Sequence, residues 1–127
     1  MEILRTQVDT GSETYRQNRA AFLERIEYLR AQLAAVNAAG GAKYVERHKA
    51  RGKLLARERI ELLLDRDAPF LEIGALAGWG TDFALGGSLI CGVGVVSGVE
   101  CAITANEPTI KGGSINPYSA KKGGRLM

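Results

Sequence analysis

The chain has 127 residues, of which 46% are apolar and 24% are charged, and its formal net charge is +3. This composition is typical of one small globular domain, or part of one, and argues against intrinsic disorder. A membrane span needs an apolar run of roughly 20 residues, and the sequence has no such run. A secreted protein is expected to begin with an apolar signal core, which the first residues lack. A disulfide scaffold needs more than the two cysteines that are present.

Charged residues and glycines are distributed unevenly along the chain. Residues 1–67 hold 13 of the 17 basic and 10 of the 14 acidic residues, whereas 12 of the 16 glycines lie at or beyond Gly74. We therefore predict an N-terminal helical segment over residues 1–67, followed by a glycine-rich segment with strands over residues 68–127.

The first helix is predicted by a stripe of apolar residues with spacings of 4, 3, 4 and 3: Phe22, Ile26, Leu29, Leu33 and Val36. Ser12 is a suitable N-cap, and Gly40-Gly41 is a suitable stop. The stripe allows two interpretations: it packs on the helix's own domain, or it packs on another subunit.

A strongly basic segment follows, because residues 43–59 carry seven lysines and arginines against two glutamates. Gly52 predicts a turn, and a new helix is expected from about Leu55, with an apolar face formed by Ile60, Leu63 and Leu64. Asp65 is expected to end this helix, before a turn over residues 67–69. The basic charges are either a solvated helix surface with local ion pairs or a site for a phosphate-bearing ligand. Nucleic acid is not expected as a partner, since no nucleic-acid motif is present.

Three strands are predicted in the second half: residues 70–73, residues 88–96 and residues 99–106. A two-residue turn at Ser97-Gly98 would place Val96 opposite Val99 and Cys91 opposite Thr104. In this register Cys91 and Cys101 point to opposite faces, so we expect two small, buried, free thiols and a reducing intracellular compartment.

Both faces of the predicted hairpin are apolar, so it needs cover on both sides. One face holds Cys91, Val93, Val95, Ala102 and Thr104, and the other holds Ile90, Val96, Val99, Cys101, Ile103 and Ala105. The front helices could cover one face, but the sequence after residue 114 is poor in apolar residues. We therefore expect the chain to stop before its fold is complete.

Two glycine patterns are candidates for a functional site. The glycines of residues 92–98 do not match a dinucleotide-binding fingerprint, because the third is one place late and all lie in a hairpin. Residues 106–114 place Lys111 beside Gly112 and Gly113 after a buried strand. Such a turn suits a closely approaching phosphate ligand, although an ordinary glycine turn is the alternative. His48 is predicted to be a surface residue, and one histidine with two separated cysteines predicts no metal site.

Three blocks of sequence, in this order and spacing, resemble the carboxyltransferase (β) subunits of biotin-dependent acyl-CoA carboxylases. The blocks are residues 47–65 (RHKARGKLLARERI, followed by LLD), residues 70–74 (FLEIG) and residues 105–114 (ANEPTIKGGS). The resemblance extends from about Lys43 to Lys122. The Lys111-Gly112-Gly113 form is more similar to methylcrotonyl- and geranyl-type subunits than to propionyl-type ones.

The resemblance implies an α/β fold, which in this fragment is α+β: an incomplete crotonase-like (ClpP/crotonase) domain preceded by N-terminal helices. Residues 68–127 would be the truncated start of that domain, with a helix beginning near Ser119. The implied reaction moves a carboxyl group from carboxybiotin to the α carbon of an acyl-CoA. The glycine-rich turns that stabilise negative charge in the family lie beyond the position of Met127, so the resemblance implies no catalytic residue and no metal ligand here.

For CoA binding, the resemblance points to Lys111, Gly112 and Gly113, while charge and position suggest Arg51, Lys53 and Arg57. These three basic residues could instead pair with carboxylates or support a subunit interface. The implied partners are acyl-CoA as substrate, biotin carried on a partner domain or subunit, and a biotin carboxylase or biotin carrier subunit. Further copies of the chain would associate through the N-terminal helix and the carboxyltransferase domains. The implied location is the cytoplasm, or the mitochondrial matrix in a eukaryote. The alternative function is a non-catalytic helical interaction module.

Overall fold

The computed structural model describes residues 5–127. Residues 1–4, which are part of the N-terminal stretch that lacks a predicted signal core, lie outside the described residues. The elements in chain order are α1 (Glu13–Asn37), α2 (Ala42–Lys49), α3 (Ala56–Leu63), β1 (Leu71–Glu72), β2 (Leu89–Val96), β3 (Val99–Asn106), a short 3-10 turn (Lys111–Gly113) and α4 (Pro117–Gly124). The chain divides into two compact units between Gln32 and Leu33. Within the described residues, no helix is both long and apolar enough to cross a membrane.

Helix α1 begins and ends where the sequence predicts. The Ser12 hydroxyl accepts a hydrogen bond from the Tyr15 backbone N–H at 3.2 Å, which satisfies one of the free donors of the first turn. The helix ends at Asn37, before Ala39 takes a left-handed conformation with φ 52°. No residue of α1 is buried, and Phe22 and Leu29 are 64% and 45% exposed. Val36, at the C-terminal end of the stripe, is half-buried in the second unit and lies close to Gly86.

The sheet is antiparallel with the order β1-β2-β3, and the hairpin has the predicted register. Val96 lies opposite Val99, and Cys91 lies opposite Thr104. The first strand is shorter than predicted: Leu71 and Glu72 pair with β2, and the Ile73 N–H donates one further hydrogen bond, to the Cys91 carbonyl at 2.8 Å. A Cβ at Gly92 would overlap the Leu71 carbonyl oxygen. This glycine therefore permits the close approach of β1 and serves the sheet.

The hydrophobic core covers one face of the hairpin. Ala56 and Ile60 of α3 pack with Ile90 and Ile103, surrounded by half-buried Leu64, Phe70, Val96, Cys101 and Ala105. Burying each isoleucine contributes roughly 2 kcal/mol to stability. A front helix thus covers this face as expected, although Leu63 points outward and is exposed.

The opposite face of the hairpin is only partly covered. Helix α4 packs on β2 at Cys91, whereas Ala102 and Thr104 remain exposed. This helix begins at Pro117, two residues before the predicted position, because the Asn116 side chain caps it by accepting hydrogen bonds from two backbone N–H groups at 2.9 Å.

Both cysteines are free, as predicted from the register. Cys91 is fully buried, but Cys101 is only half-buried, so the expectation of two buried thiols holds fully for Cys91 alone.

Asp65 joins the end of α3 to the hairpin turn. Its carboxylate oxygens accept hydrogen bonds from the backbone N–H groups of Ser97 at 2.6 Å and Gly98 at 2.7 Å. Both turn residues have positive φ, as a tight hairpin turn requires. The residue expected to end the helix therefore also stabilises a turn more than thirty residues away in sequence.

Candidate functional site

The loop after β3 is a tight, hydrogen-bonded return. The Ile110 N–H donates to the Glu107 carbonyl at 3.1 Å, and the Gly113 N–H donates to the Ile110 carbonyl at 2.8 Å. The Asn106 side-chain amide donates to the Gly113 carbonyl at 2.8 Å, which closes the loop on the end of β3. These bonds fix the loop at both ends.

Three consecutive residues of this loop lie in the left-handed region: Lys111 at φ 46°, Gly112 at φ 70° and Gly113 at φ 78°. Glycine adopts this conformation freely, whereas for Lys111 it costs roughly 1–2 kcal/mol. Ala39, Asp67 and Ser97 share this conformation, so at Lys111 it marks a tightly constrained turn.

Lys111 and Gly112 border an open cleft of about 380 Å³, together with Gly40, Tyr44, Pro108 and Thr109. Lys111 also borders a second cleft of about 260 Å³. An exposed ammonium group between two clefts can meet a phosphate of a bound ligand. The structure thus places Lys111 and Gly112 at an accessible surface depression, whereas the third predicted residue, Gly113, is buried beneath the turn and lines neither cleft.

The other three predicted basic residues are arranged differently. Arg51 and Lys53 are exposed in the turn between α2 and α3. Arg57 in α3 makes a bidentate ion pair with Glu72 of β1, at 2.7 and 3.1 Å. None of the three lines the 380 Å³ cleft. For Arg57, pairing with a carboxylate, which the sequence left open as an alternative, is the arrangement found.

Ion pairing neutralises part of the basic segment. The Lys49 ammonium lies 2.6 Å from the Glu58 carboxylate. The hydrogen bond from Lys49, together with one from the Leu55 backbone N–H, lowers the pKa of Glu58. The Lys49–Glu58 pair is therefore a local ion pair at the helix surface, which is the first of the two interpretations of the basic segment.

A buried charge cluster connects three elements, and the sequence analysis missed it. Lys122 of α4 is 4% exposed, and its Nζ donates to the Leu89 carbonyl at 2.7 Å and lies 3.5 Å from the Glu72 carboxylate. Burial lowers the pKa of Lys122, and the charge of Glu72 offsets part of that effect. Arg57, Glu72 and Lys122 thus form one chain of charges joining α3, β1 and α4.

The remaining polar candidates lie elsewhere. The His48 Nε2 lies 3.1 Å from the Leu54 carbonyl oxygen, which is a local contact within the basic segment. The His48 side chain is half-buried. Within residues 5–127, no group of three or more histidines, cysteines, aspartates and glutamates is placed to hold a metal ion. Glu107 is buried beside the Lys111 turn, a position for which the sequence analysis assigned no role.

Comparison with known proteins identifies the family of this fold. Residues 47–127 match the carboxyl transferase domain. The chain belongs to the carboxyl transferase domain family. The probable biotin-dependent acyl-coenzyme A carboxylase β2 subunit of Mycobacterium tuberculosis is 48% identical to this carboxyl transferase chain over 120 residues, which cover 94% of the chain and 23% of that protein. The probable mitochondrial methylcrotonoyl-CoA carboxylase β chain of Drosophila melanogaster is 46% identical over 123 residues, covering 94% and 21%.

Solved carboxyltransferase structures have the same fold. The β subunit of geranyl-CoA carboxylase from P. aeruginosa superimposes with a TM-score of 0.84 and 38% identity, covering 97% of this chain and 23% of that one. Transcarboxylase 12S, described as a hexamer with methylmalonyl-coenzyme A bound, gives a TM-score of 0.72 and 28% identity, covering 81% and 21%. The predicted crotonase-like fold is confirmed, and the carboxyl transferase chain spans between a fifth and a quarter of the length of these relatives.

Proposed function

We propose that the protein containing this chain transfers a carboxyl group from carboxybiotin to the α carbon of an acyl-CoA. The observation that carries the proposal is the family match over residues 47–127, which includes the Lys111 turn at its open cleft. Residues 1–67 would be the N-terminal helical segment, and residues 68–127 would start the first crotonase-like domain. Acyl-CoA is the substrate, and biotin arrives on a biotin carrier domain or subunit served by a biotin carboxylase.

The reaction develops negative charge on the thioester oxygen and on the ureido oxygen of biotin. Backbone N–H groups at glycine-rich turns stabilise such charge without a titrating side chain. We place those turns in the remaining part of the protein, since the chain spans 23% of its relative from M. tuberculosis. The 127-residue chain alone is therefore expected to show no carboxyl transfer in an assay with carboxybiotin and acyl-CoA, and measurable transfer would contradict this division.

We place CoA along Lys111, Gly112 and Gly113. The exposed ammonium of Lys111 supplies a point charge for a phosphate, and the exposed Gly112 lets the ligand approach the backbone closely, while the buried Gly113 supports the turn from beneath. Arg51 and Lys53 are exposed in the turn between α2 and α3, and we propose that they meet outlying phosphates of the same ligand. Both terminal nitrogens of Arg57 are bound by Glu72, so we propose that this arginine joins α3 to β1 and does not contact CoA directly.

The test is a charge reversal in the full-length subunit. Lys111→Glu is expected to raise the KM for acyl-CoA about tenfold, equivalent to about 1.4 kcal/mol of lost binding. Arg66→Glu is the matched control, because its side chain is 96% exposed and lies outside both clefts. An unchanged KM for Lys111→Glu would remove Lys111 from the CoA site.

The exposed stripe of α1 supports a second role in self-association. Phe22 and Leu29 of the stripe present exposed apolar surface. We expect copies of the protein to associate through this helix as well as through their carboxyltransferase domains. The double change Ile26→Asp with Leu33→Asp should lower the oligomer mass measured by light scattering. A wild-type protein that is monomeric at high concentration would contradict the role.

We also propose a cytoplasmic location, or the mitochondrial matrix if the protein is eukaryotic. Both cysteines are free, as in a reducing compartment, and the names of relatives from Drosophila melanogaster and Dictyostelium discoideum include "mitochondrial". Fractionation of the source cells with antibody detection tests this location.

A further inference from the structure

Glu107 is a buried carboxylate held by hydrogen bonds. It is 3% exposed, and no lysine or arginine of residues 5–127 makes an ion pair with it. Its Oε2 accepts a hydrogen bond from the Ala56 N–H at 2.9 Å. Its Oε1 accepts one from the Thr109 N–H at 3.0 Å and one from the Thr109 hydroxyl at 2.6 Å. Three donors on one buried carboxylate indicate a strong, well-defined network, because an unsatisfied buried charge would be very costly.

The network joins three separate parts of the chain. Ala56 is the first residue of α3, so Glu107 places a negative charge at the positive end of that helix. Thr109 belongs to the loop after β3. Its hydroxyl oxygen also accepts a hydrogen bond from the Gly40 N–H at 3.0 Å, in the turn between α1 and α2. A Cβ at Gly40 would overlap the Thr109 carbonyl oxygen, so the two backbones are in direct contact.

This network forms one wall of the candidate site. Gly40, Thr109 and Lys111 all border the 380 Å³ cleft, and Thr109 precedes Lys111 by two residues. The strained Lys111 conformation needs support from its surroundings. On one side the support is the Asn106 bond to Gly113, and on the other it is the pair of Glu107 bonds to Thr109.

We propose that Glu107, acting through Thr109, is the positioning residue that holds the Lys111 turn in its ligand-binding conformation and so sets the affinity for acyl-CoA. This inference rests on the proposed function, because the ligand is the CoA assigned above. Glu107 itself is buried behind the cleft and does not touch the ligand. Loosening the network should therefore weaken acyl-CoA binding and leave the handling of carboxybiotin unchanged.

The kinetic test compares variants of the full-length subunit. Glu107→Gln replaces an acceptor oxygen with a donor amide, and Thr109→Val removes the hydroxyl while keeping the shape of the side chain. Both are expected to raise the KM for acyl-CoA about tenfold, with kcat and the KM for carboxybiotin unchanged. Thr109→Ser keeps the hydroxyl and should restore the wild-type KM. Glu100→Gln, on the exposed part of β3, is the control for glutamate loss.

A second measurement separates the inference from the proposed function. Amide hydrogen exchange at residues 110–114 should be faster in Glu107→Gln and Thr109→Val than in the controls. If exchange there is unchanged in a folded Thr109→Val, or if exchange rises while the KM for acyl-CoA stays constant, the inference is overturned. If Lys111→Glu alone leaves that KM unchanged, the CoA assignment fails instead. Should Glu107→Gln not fold, the Thr109 pair carries the test.

Discussion

Residues 13–32 of helix α1 and the unit of residues 33–127 (the sheet unit) differ in which side chains they bury. The helix leaves the Phe22 ring and the Leu29 side chain largely in water. The unit from residue 33 onward buries Lys122 and Glu107, and no buried side-chain nitrogen or oxygen of the described residues lacks a hydrogen-bond partner. Buried charges are tolerated when their hydrogen bonds are satisfied, whereas apolar surface stays exposed where the chain supplies no cover. The stability of the chain is therefore concentrated in the sheet unit.

The most severe test of this contrast is a matched pair of isoleucine truncations. Ile103→Ala removes a buried side chain from the core and should lower the free energy of unfolding by about 3 kcal/mol. Ile26→Ala in α1, at a position that is only partly buried, should lower it by about 1 kcal/mol in the monomer. Urea unfolding followed by circular dichroism measures both, and equal losses would show that α1 is packed as tightly as the core.

The next largest effect is expected at the buried ammonium. Lys122→Met removes the bonds to Leu89 and Glu72 and should cost about 2 kcal/mol. Lys121→Met, on the exposed side of α4, should cost little. Urea unfolding at neutral pH compares the two.

Lys122 also gives a pH dependence. Because burial lowers the pKa of Lys122 in the folded state, the unfolded state binds more protons between that lowered pKa and the ordinary lysine pKa of 10.5. The free energy of unfolding contributed by Lys122 therefore rises with pH in that interval and is level above it. Lys122→Met should lack this alkaline rise, and a variant that retains it would locate the effect in another group.

A smaller loss is expected at the junction of α3 and the hairpin turn. Asp65→Ala removes two short hydrogen bonds to the backbone of Ser97 and Gly98 and should cost about 1.5 kcal/mol. Asp82→Ala, in an exposed part of the loop before β2, is the control. Thermal unfolding followed by circular dichroism would contradict the prediction if the two variants melted together.

The smallest effect is expected on the exposed stripe. Phe22→Ser should change the free energy of unfolding of the monomer by less than about 0.5 kcal/mol, because the ring is mostly in water. Melting curves at low and high protein concentration refine this prediction. A destabilisation that appears only at high concentration would show that a second copy covers the ring.

Local patterns predicted what depends on local geometry. The two-residue turn at Ser97-Gly98 determined the register, since side chains alternate with period two along a strand. The Lys111 turn was predicted from its glycines, and the Ser12 cap from its position before an apolar stripe.

What the sequence did not predict depends on contacts between distant residues. Lys122 forms an ion pair with Glu72, fifty residues earlier, and Glu107 accepts a hydrogen bond from the N–H of Ala56, fifty-one residues earlier. No local pattern marks either residue as buried, because both are of types that are usually exposed. The exposure of Leu63 was missed since Ile60 and Leu64, four residues apart, already form the face that meets the sheet.

The burial of Cys91 makes the alkylation rate of its thiol a measure of how often α4 separates from the sheet. Its sulfur lies 3.7 Å from the carbonyl oxygens of Ile73 and Lys122, between β2 and that helix, and burial raises the pKa of its thiol. An alkylating reagent needs both access and thiolate, so it reacts with Cys91 only when the helix separates from the sheet. The half-buried Cys101 supplies an internal reference in the same molecule. Mass spectrometry of the two labelled peptides over time would give the opening rate of α4 with no engineered probe.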